Sequence, residues 1–510
     1  MIYIDQNKDE YNNDLRSMLQ AYFHNEKIVA AKILDDGQGM VETKGERAAK
    51  RAAVSPEKAR FALAVRFFPD HVYFAILEPD DTMNGGNTYV LKTDKSLDCD
   101  YQDKKTWQNA VHGAVYELMV EYTGRTLPWG FLTGVRPTKI ALEMLEAGKP
   151  ESVVRHHFED ICHTTSQKAD ICIEVAKKEQ SLLGGIDFEK EYCLYIGIPF
   201  CPTRCLYCSF TSYPIGAYAD RVDDYLDAME KEMQFGADSY RDRILTSVYV
   251  GGGTPTSISA AQLDRLLTML AQYFDLSHVR EITVEAGRPD SITEEKLVVL
   301  LKHGIGRISI NPQTMHDDTL RMIGRAHTVE QTVETFLLAR KLGFTNINMD
   351  MIVGLPGESV EEVRGTLSAL SNLRPDSLTV HSLAIKRAAH LNERLHEYRD
   401  MLQGSTNAML LAVDRSARQM RMEPYYLYRQ KNIPGNMENI GYCEPGKECL
   451  YNILIMEEKM DILALGAGAS TKKVFHRENR IERAENVKYV DDYMSRIDEM
   501  IDRKRKLFGV

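Results

Sequence analysis

Tyr195-Ile196-Gly197-Ile198-Pro199-Phe200-Cys201-Pro202-Thr203-Arg204-Cys205-Leu206-Tyr207-Cys208 sets three thiols in a C-x3-C-x2-C run directly behind a strand-like apolar segment. Three thiolates can hold three irons of a [4Fe-4S] cube and leave the fourth iron open. An open iron can chelate the amino and carboxylate groups of S-adenosylmethionine. An electron from the reduced cluster then breaks the sulfonium C–S bond and releases a 5′-deoxyadenosyl radical. A zinc site would want a fourth ligand and more often pairs two C-x2-C-like units. The nearest other cysteine, Cys193, sits on the same apparent strand, and no downstream C-x2-C or H-x3-H partner follows. A disulfide is disfavoured where no secretion signal precedes the thiols.

Outward from this run, strand and helix alternate between about Tyr192 and Ser382. Apolar runs that read as buried strands are Cys193 to Ile198, Ser247 to Val250, Glu281 to Val284, Arg307 to Ile310, Ile347 to Val353 and Ser377 to Leu383. Between them, Val222, Tyr225, Leu226, Met229 and Met233 recur at helical spacing on one face. Ser259-x-x-Gln262 and Thr328-x-x-Gln331 read as capping boxes, and Gly343 falls where a left-handed residue ends a helix. Strands joined by helical crossovers pair in parallel. The pattern predicts an α/β fold whose core is a partial (β/α)6 TIM-like barrel.

In such barrels ligands gather at the C-terminal ends of the strands. The first strand here runs into the cysteine loop and the second into Gly251-Gly252-Gly253-Thr254-Pro255-Thr256, whose glycines permit close backbone approach. Glu285 and Gln313 stand at the ends of the third and fourth strands. Asp350 lies in the fifth, before Gly354-Leu355-Pro356-Gly357. A carboxylate or amide set in an apolar strand needs hydrogen-bond partners, from the protein or from a ligand. Arg325 can meet a carboxylate, although an arginine before a helix is usually a solvated surface group.

The 510 residues are 44% hydrophobic and 27% charged, the composition of a globular protein with ample core. A net charge of -11 argues against a general nucleic-acid surface. The N-terminal residues carry neither a basic n-region nor an apolar h-region, and no run reaches membrane-spanning length, which predicts a cytoplasmic protein. Residues 1–185 read as an α+β accessory domain, 186–390 as the barrel core, and 391–510 as a mixed, mostly helical C-terminal extension. Leu127 to Lys139, with Trp129, Arg136 and Lys139, reads as a packed domain junction in preference to the alternative of an anion-binding loop. The other cysteines, Cys99, Cys162, Cys172, Cys193, Cys443 and Cys449, read as small buried hydrophobes, with Cys443 and Cys449 alternative ligands.

Together the motifs resemble the radical S-adenosylmethionine superfamily, in the branch of oxygen-independent coproporphyrinogen III oxidases and their heme-chaperone relatives. The marks are Tyr-x-x-Ile-Pro-Phe-Cys-x3-Cys-x-Tyr-Cys, Gly-Gly-Gly-Thr-Pro-Thr, Thr-Val-Glu, Pro-Gln and Asp-x-Ile-x-Gly-Leu-Pro, over about Tyr192 to Ser470. The resemblance implies that Cys201, Cys205 and Cys208 ligate a [4Fe-4S] cluster, with Tyr195 packed beside it. It implies that Gly252, Gly253 and Thr254 hold the methionine moiety of S-adenosylmethionine. Glu285, Gln313, Arg325 and Asp350 then contact its remaining polar groups, and Tyr195 and Glu285 are the positions expected to act in catalysis. The implied reaction removes a hydrogen from the β-carbon of a propionate, then carbon dioxide and one electron, converting coproporphyrinogen III to protoporphyrinogen IX. Its partners are a tetrapyrrole substrate and a reductant such as flavodoxin or ferredoxin.

The chain departs from the oxidase pattern at three places. Gly197 stands where those oxidases carry a histidine. Phe210, a residue shared with the heme-chaperone relatives, stands where they carry a further cysteine. Pro434 precedes Gly435 where some have a glutamine that binds a second cofactor molecule. The alternative the resemblance leaves open is a heme-binding chaperone, or radical chemistry on heme itself.

Overall fold

The computed structural model describes residues 1–8, 12–24, 26–33, 41–43, 59–79, 89–98, 103–386, 389–398, 401–402, 406–430 and 433–509. Cys99 lies outside the described residues. The chain divides into two units: Met1–Ile173 with Arg429–Met437, and Glu174–Tyr428 with Glu438–Val510.

The first unit is built on strands Ile2–Gln6 (β1), Ile28–Ile33 (β2), Val41–Thr43 (β3), Phe61–Phe67 (β4), His71–Pro79 (β5) and Tyr89–Asp98 (β6), in the order β3-β2-β1-β4-β5-β6. β1 runs parallel to β2 and β4, while β4, β5 and β6 form an antiparallel meander. The two-residue period of a strand puts Ile2, Ile4, Phe61, Leu63 and Val65 into one core with Leu15, Leu19, Val115 and Met119 of two helices. Trp129 is fully buried in this unit, with the Arg429 guanidinium 5.1 Å and the Lys168 ammonium 5.8 Å from its ring. That turn is packed structure, as its sequence suggests.

In the second unit the strands are Glu191–Ile198 (β7), Phe200–Cys201 (β8), Tyr213–Pro214 (β9), Ile244–Gly252 (β10), Glu281–Gly287 (β11), Arg307–Ile310 (β12), Ile347–Val353 (β13) and Ser377–Ser382 (β14). β7, β10, β11, β12, β13 and β14 pair side by side in chain order, every pair parallel. Helices Val222–Ser239, Ala260–Tyr273, Glu294–Lys302, Val329–Leu342 and Val360–Leu373 make the crossovers. Both expected capping boxes form, at Ser259 and Thr328, and Gly343 ends its helix at φ 110°. This is the (β/α)6 core.

Strands Glu423–Arg429 (β15), Glu438–Cys443 (β16), Asp461–Leu465 (β17), Ser470–Phe475 (β18) and Arg480–Glu485 (β19) extend it. β16 pairs antiparallel with β14 on one side, and β17 pairs parallel with β7 on the other. The eleven-stranded order thus runs from β15 to β19 with the six parallel strands inside it. Along those strands Leu194, Ile196, Val248, Val250, Ile308, Ile310, Leu378 and Val380 are buried apolar residues, while the alternate positions are polar, aromatic or small. Among the described residues no helix is long and apolar enough to cross a membrane.

Candidate active site at the strand ends

The cysteine loop is pinned at both ends. β8 and β9 pair in parallel, Phe200 with Tyr213 and Cys201 with Pro214, and the Tyr213 amide donates to Pro199 O at 2.8 Å. Between them Leu206 is buried with Leu320, Ile323, Ile352, Leu355, Leu383 and Leu391. Its amide donates to Ile323 O at 2.9 Å and its carbonyl accepts from the Leu391 amide at 2.8 Å. The apolar residue between two thiols thus anchors the loop.

The glycine turn after β10 lies against the same loop. Gly252 has φ 110°, and a Cβ there would come within 3.0 Å of the Ile198 backbone. A Cβ on Gly253 would stand 2.6 Å from Phe200 O and 3.0 Å from Cys201 Sγ. Any side chain at 253 would therefore fill the corner beside that thiol. The Gly253 and Thr254 amides donate to Ile198 O and Phe200 O at 2.8 and 2.7 Å. They hold the first strand end against the glycine turn, a packing that only Cβ-free residues allow. Thr254 Oγ1 lies 3.4 Å from Cys201 Sγ.

Burial pushes the Cys201 thiol up to about 11 and raises Cys208 as well. Such thiols ionise when a cation binds them. Among the described residues no three His, Cys, Asp or Glu side chains gather tightly enough for a single metal ion. A cube spreads its thiolates over separate irons, and three thiols on one loop can supply three of them. Cys443 and Cys449 are buried elsewhere. Cys449 Sγ lies 3.4 Å from Glu281 at the start of β11, the opposite end from Glu285.

Glu285, near the end of β11, accepts a hydrogen bond from the Tyr249 hydroxyl. Burial pushes its carboxyl up to about 7, the Asp350 charge adds to that, and the Tyr249 bond and His381 oppose it. Tyr249 stacks on Tyr451 at 4.7 Å between centroids, and Tyr195 stacks on both at 6.3 Å. Asp350 accepts from Asn348 Nδ2 at 2.6 Å and has His381 Nε2 at 3.8 Å.

Gln313 has φ 72°, unusual for a residue with a side chain, and is held there by backbone bonds to Asp350 O at 3.0 Å and from the Ile352 amide at 2.9 Å. It is buried, yet its side-chain oxygen has no partner in the chain. Arg325 is only 7% exposed, unlike the solvated arginine that usually precedes a helix. Its guanidinium donates to Asn311 O and, at 3.3 Å, to the Tyr207 hydroxyl in the cysteine loop. The helix Asp317–Met322 and its turn fold this arginine inward onto β12.

Cys201, Gly252, Gly253, Thr254, Glu285 and Gln313 thus lie at the C-terminal end of the six-stranded core, Arg325 reaches Asn311 and Tyr207 there, and Tyr195 and Asp350 lie within β7 and β13. The sequence reading missed Arg288, Asn311, His381 and the Tyr249–Tyr451 stack. Asn311, His381 and Tyr249 follow from a two-residue period, because Ser309, Thr379 and Ser247 precede them on the same polar faces. The Gly197 departure has a physical reason. Its carbonyl accepts from the Tyr225 hydroxyl at 2.7 Å, and a Cβ there would lie 3.3 Å from both Leu465 O and the Tyr195 ring. Pro434–Asn436 is a short turn of the first unit.

Residues 195–370 match the family model described as the radical SAM superfamily. The oxygen-independent coproporphyrinogen-III oxidase-like protein HemZ of Bacillus subtilis is 42% identical over 406 residues, covering 79% of this chain and 81% of that protein. The heme chaperone HemW of the same organism is 37% identical over 193 residues, 38% of this chain and 50% of its own length. The oxygen-independent coproporphyrinogen III oxidase of Escherichia coli is 33% identical over 196 residues, 38% of this chain and 42% of its own length. The chain thus spans half or less of the last two relatives. Radical SAM proteins use a [4Fe-4S] cluster and S-adenosylmethionine, and the thiol loop, the Cβ-free corner and the unpartnered Gln313 oxygen suit both groups. By its pinned cysteine loop and its likeness across four-fifths of the HemZ protein, the chain belongs to the radical S-adenosylmethionine superfamily, among the oxygen-independent coproporphyrinogen III oxidase-like proteins.

Proposed function

We propose that this protein oxidatively decarboxylates the propionate side chains of coproporphyrinogen III to vinyl groups, giving protoporphyrinogen IX. In this reading Cys201, Cys205 and Cys208 hold the cluster. Gly252, Gly253 and Thr254 line the methionine end of S-adenosylmethionine, and Glu285, Gln313, Arg325 and Asp350 take its other polar groups. When bound, cluster and cofactor supply one-electron abstraction of hydrogen. Each propionate loses a β-hydrogen atom, carbon dioxide and one electron, so a one-electron reductant and a one-electron acceptor are both needed. Flavodoxin or ferredoxin has the chemistry of the reductant.

The chain's own residues have separable tasks. Arg325 holds a fixed positive charge beside the cysteine loop, anchored by Asn311 O and Tyr207. Glu285, near 7, can carry a proton at neutral pH while Tyr249 donates to its other oxygen. The Tyr195, Tyr249 and Tyr451 rings make an aromatic wall that keeps water from a reactive radical.

Gln313 carries the reading as an enzyme. A side chain kept at positive φ with a buried acceptor unspent stores strain to present an oxygen to a ligand. The test is anaerobically reconstituted protein with coproporphyrinogen III, S-adenosylmethionine and a reductant. Vinyl-bearing product is expected. A second reading, a heme-binding chaperone, is favoured by Phe210, which is 67% exposed two residues after the last cysteine of the triplet. No vinyl product, with added heme bound and transferable, would replace the first reading with the second.

A further inference from the structure

Arg288, directly after β11, is a buried cation that the cofactor contacts do not use. Gly287, at φ 71°, turns the chain so that the arginine points back into the cysteine loop. Its side chain is 3% exposed. Nη1 donates to Thr203 O at 3.0 Å and Thr203 Oγ1 at 2.7 Å, and lies 3.8 Å from Cys205 Sγ. Nε and Nη2 grip Asp290 from behind at 2.9 and 2.7 Å. Asp290 in turn has His327 Nδ1 at 3.7 Å, a ring with no exposed surface. The bidentate carboxylate fixes the guanidinium plane, so the face toward Cys205 is set before any cluster binds.

We infer that Arg288 is a positioning residue that raises the reduction potential of the cluster held by Cys205, through a charged N–H···S contact whose strength Asp290 tempers. Hydrogen bonds to the sulfurs and local charge are the protein's levers on such potentials. A positive charge beside the thiolate favours the reduced, more negative cluster. Asp290 partly cancels that charge, so the two residues pull the potential in opposite directions. Arg325 also faces Cys205 and is left intact in every comparison.

The inference rests on Cys205 as a cluster ligand, which the iron content of Cys205→Ala tests separately. It needs neither turnover nor a tetrapyrrole, so it stands or falls apart from the substrate reading. The experiment is a redox titration of the reconstituted full chain, followed by electron paramagnetic resonance with iron content measured alongside. Arg288→Gln is expected to shift the midpoint to more negative potential, Asp290→Asn to more positive potential, and Arg288→Lys to fall between Arg288→Gln and the parent. Opposite signs are the mark of electrostatics, since a loosened loop would move both variants one way. Unchanged midpoints, or shifts of one sign, would overturn the inference. If Arg288→Gln fails to load iron, the sign of the Asp290→Asn shift decides. Failure of all three variants to load would assign Arg288 to loop folding alone and likewise overturn it.

Discussion

Two buried polar regions of the second unit are built on opposite principles. Where the last helix packs on the barrel, Glu232 and Lys504 form an ion pair with no exposed side-chain surface. Glu232 accepts from Lys504 Nζ at 2.5 Å, Asn486 Nδ2 at 2.7 Å, Tyr493 Oη at 2.6 Å and the Gly466 amide at 2.9 Å. Lys504 also donates to Asn486 Oδ1 at 2.7 Å. Every oxygen there is spent. At the strand ends the Gln313 oxygen and the Arg325 Nε are buried and unspent. Most buried polar groups are satisfied, by the chain or by something bound to it. The first region is finished by the chain itself, and the second keeps polar groups that the proposed function assigns to a ligand.

The sharpest break in this contrast is at the cysteines. Cys205→Ala is expected to abolish the brown cluster absorbance and cleavage of S-adenosylmethionine, with the protein still folded by circular dichroism. Retained iron and cleavage would refute the ligand assignment. Lys504→Met is expected to do the reverse. It strands the Glu232 carboxylate in the core at a cost of about 3–5 kcal/mol, read by chemical denaturation. The protein that remains folded should still load a full cluster. A loss under about 1 kcal/mol would mean that the network is not closed as described.

The same contrast marks what the sequence makes legible. The six parallel strands, both capping boxes and the Gly343 helix end are local signals, carried by period and by cap chemistry, and each forms where its residues predict. Cys201, the glycine turn, Glu285 and Gln313 converge because parallel crossovers bring all C-terminal strand ends together. Glu232 was not legible. It sits between Met229 and Met233 on a helix whose apolar face is clear, and only Lys504, 272 residues later in the chain, makes its burial tolerable. Arg288 was hidden for the same reason: its partners Thr203 and Cys205 lie more than eighty residues away. Long-range pairing of charges has no local period.

Glu285 gives the contrast a pH dependence. Its carboxyl, pushed up to about 7 in the folded chain, binds its proton more tightly there than in the unfolded chain. The folded state therefore holds the extra proton between the ordinary glutamate range and neutrality. Stability falls as pH rises through that window and is level above it. Because Glu285 is only half-buried, the fall is expected to be about 1–2 kcal/mol. Glu285→Gln should flatten the profile between about pH 5 and 7, measured by denaturant midpoints. A variant whose profile parallels the parent's would show that the carboxyl titrates in its usual range.

Gln313 offers the smallest effect and the most specific one. Asparagine tolerates positive φ, so Gln313→Asn keeps the backbone but shortens the side chain by one methylene and withdraws its oxygen. Since that oxygen bonds nothing in the chain, the substitution should change folding stability by less than about 0.5 kcal/mol. If the oxygen is kept for S-adenosylmethionine, cofactor affinity should fall by roughly tenfold, the worth of one hydrogen bond to a charged group. Equilibrium binding to the reconstituted protein reads the second number and denaturation reads the first. A loss of stability without a loss of affinity would return Gln313 to the company of Glu232, a residue the fold spends on itself.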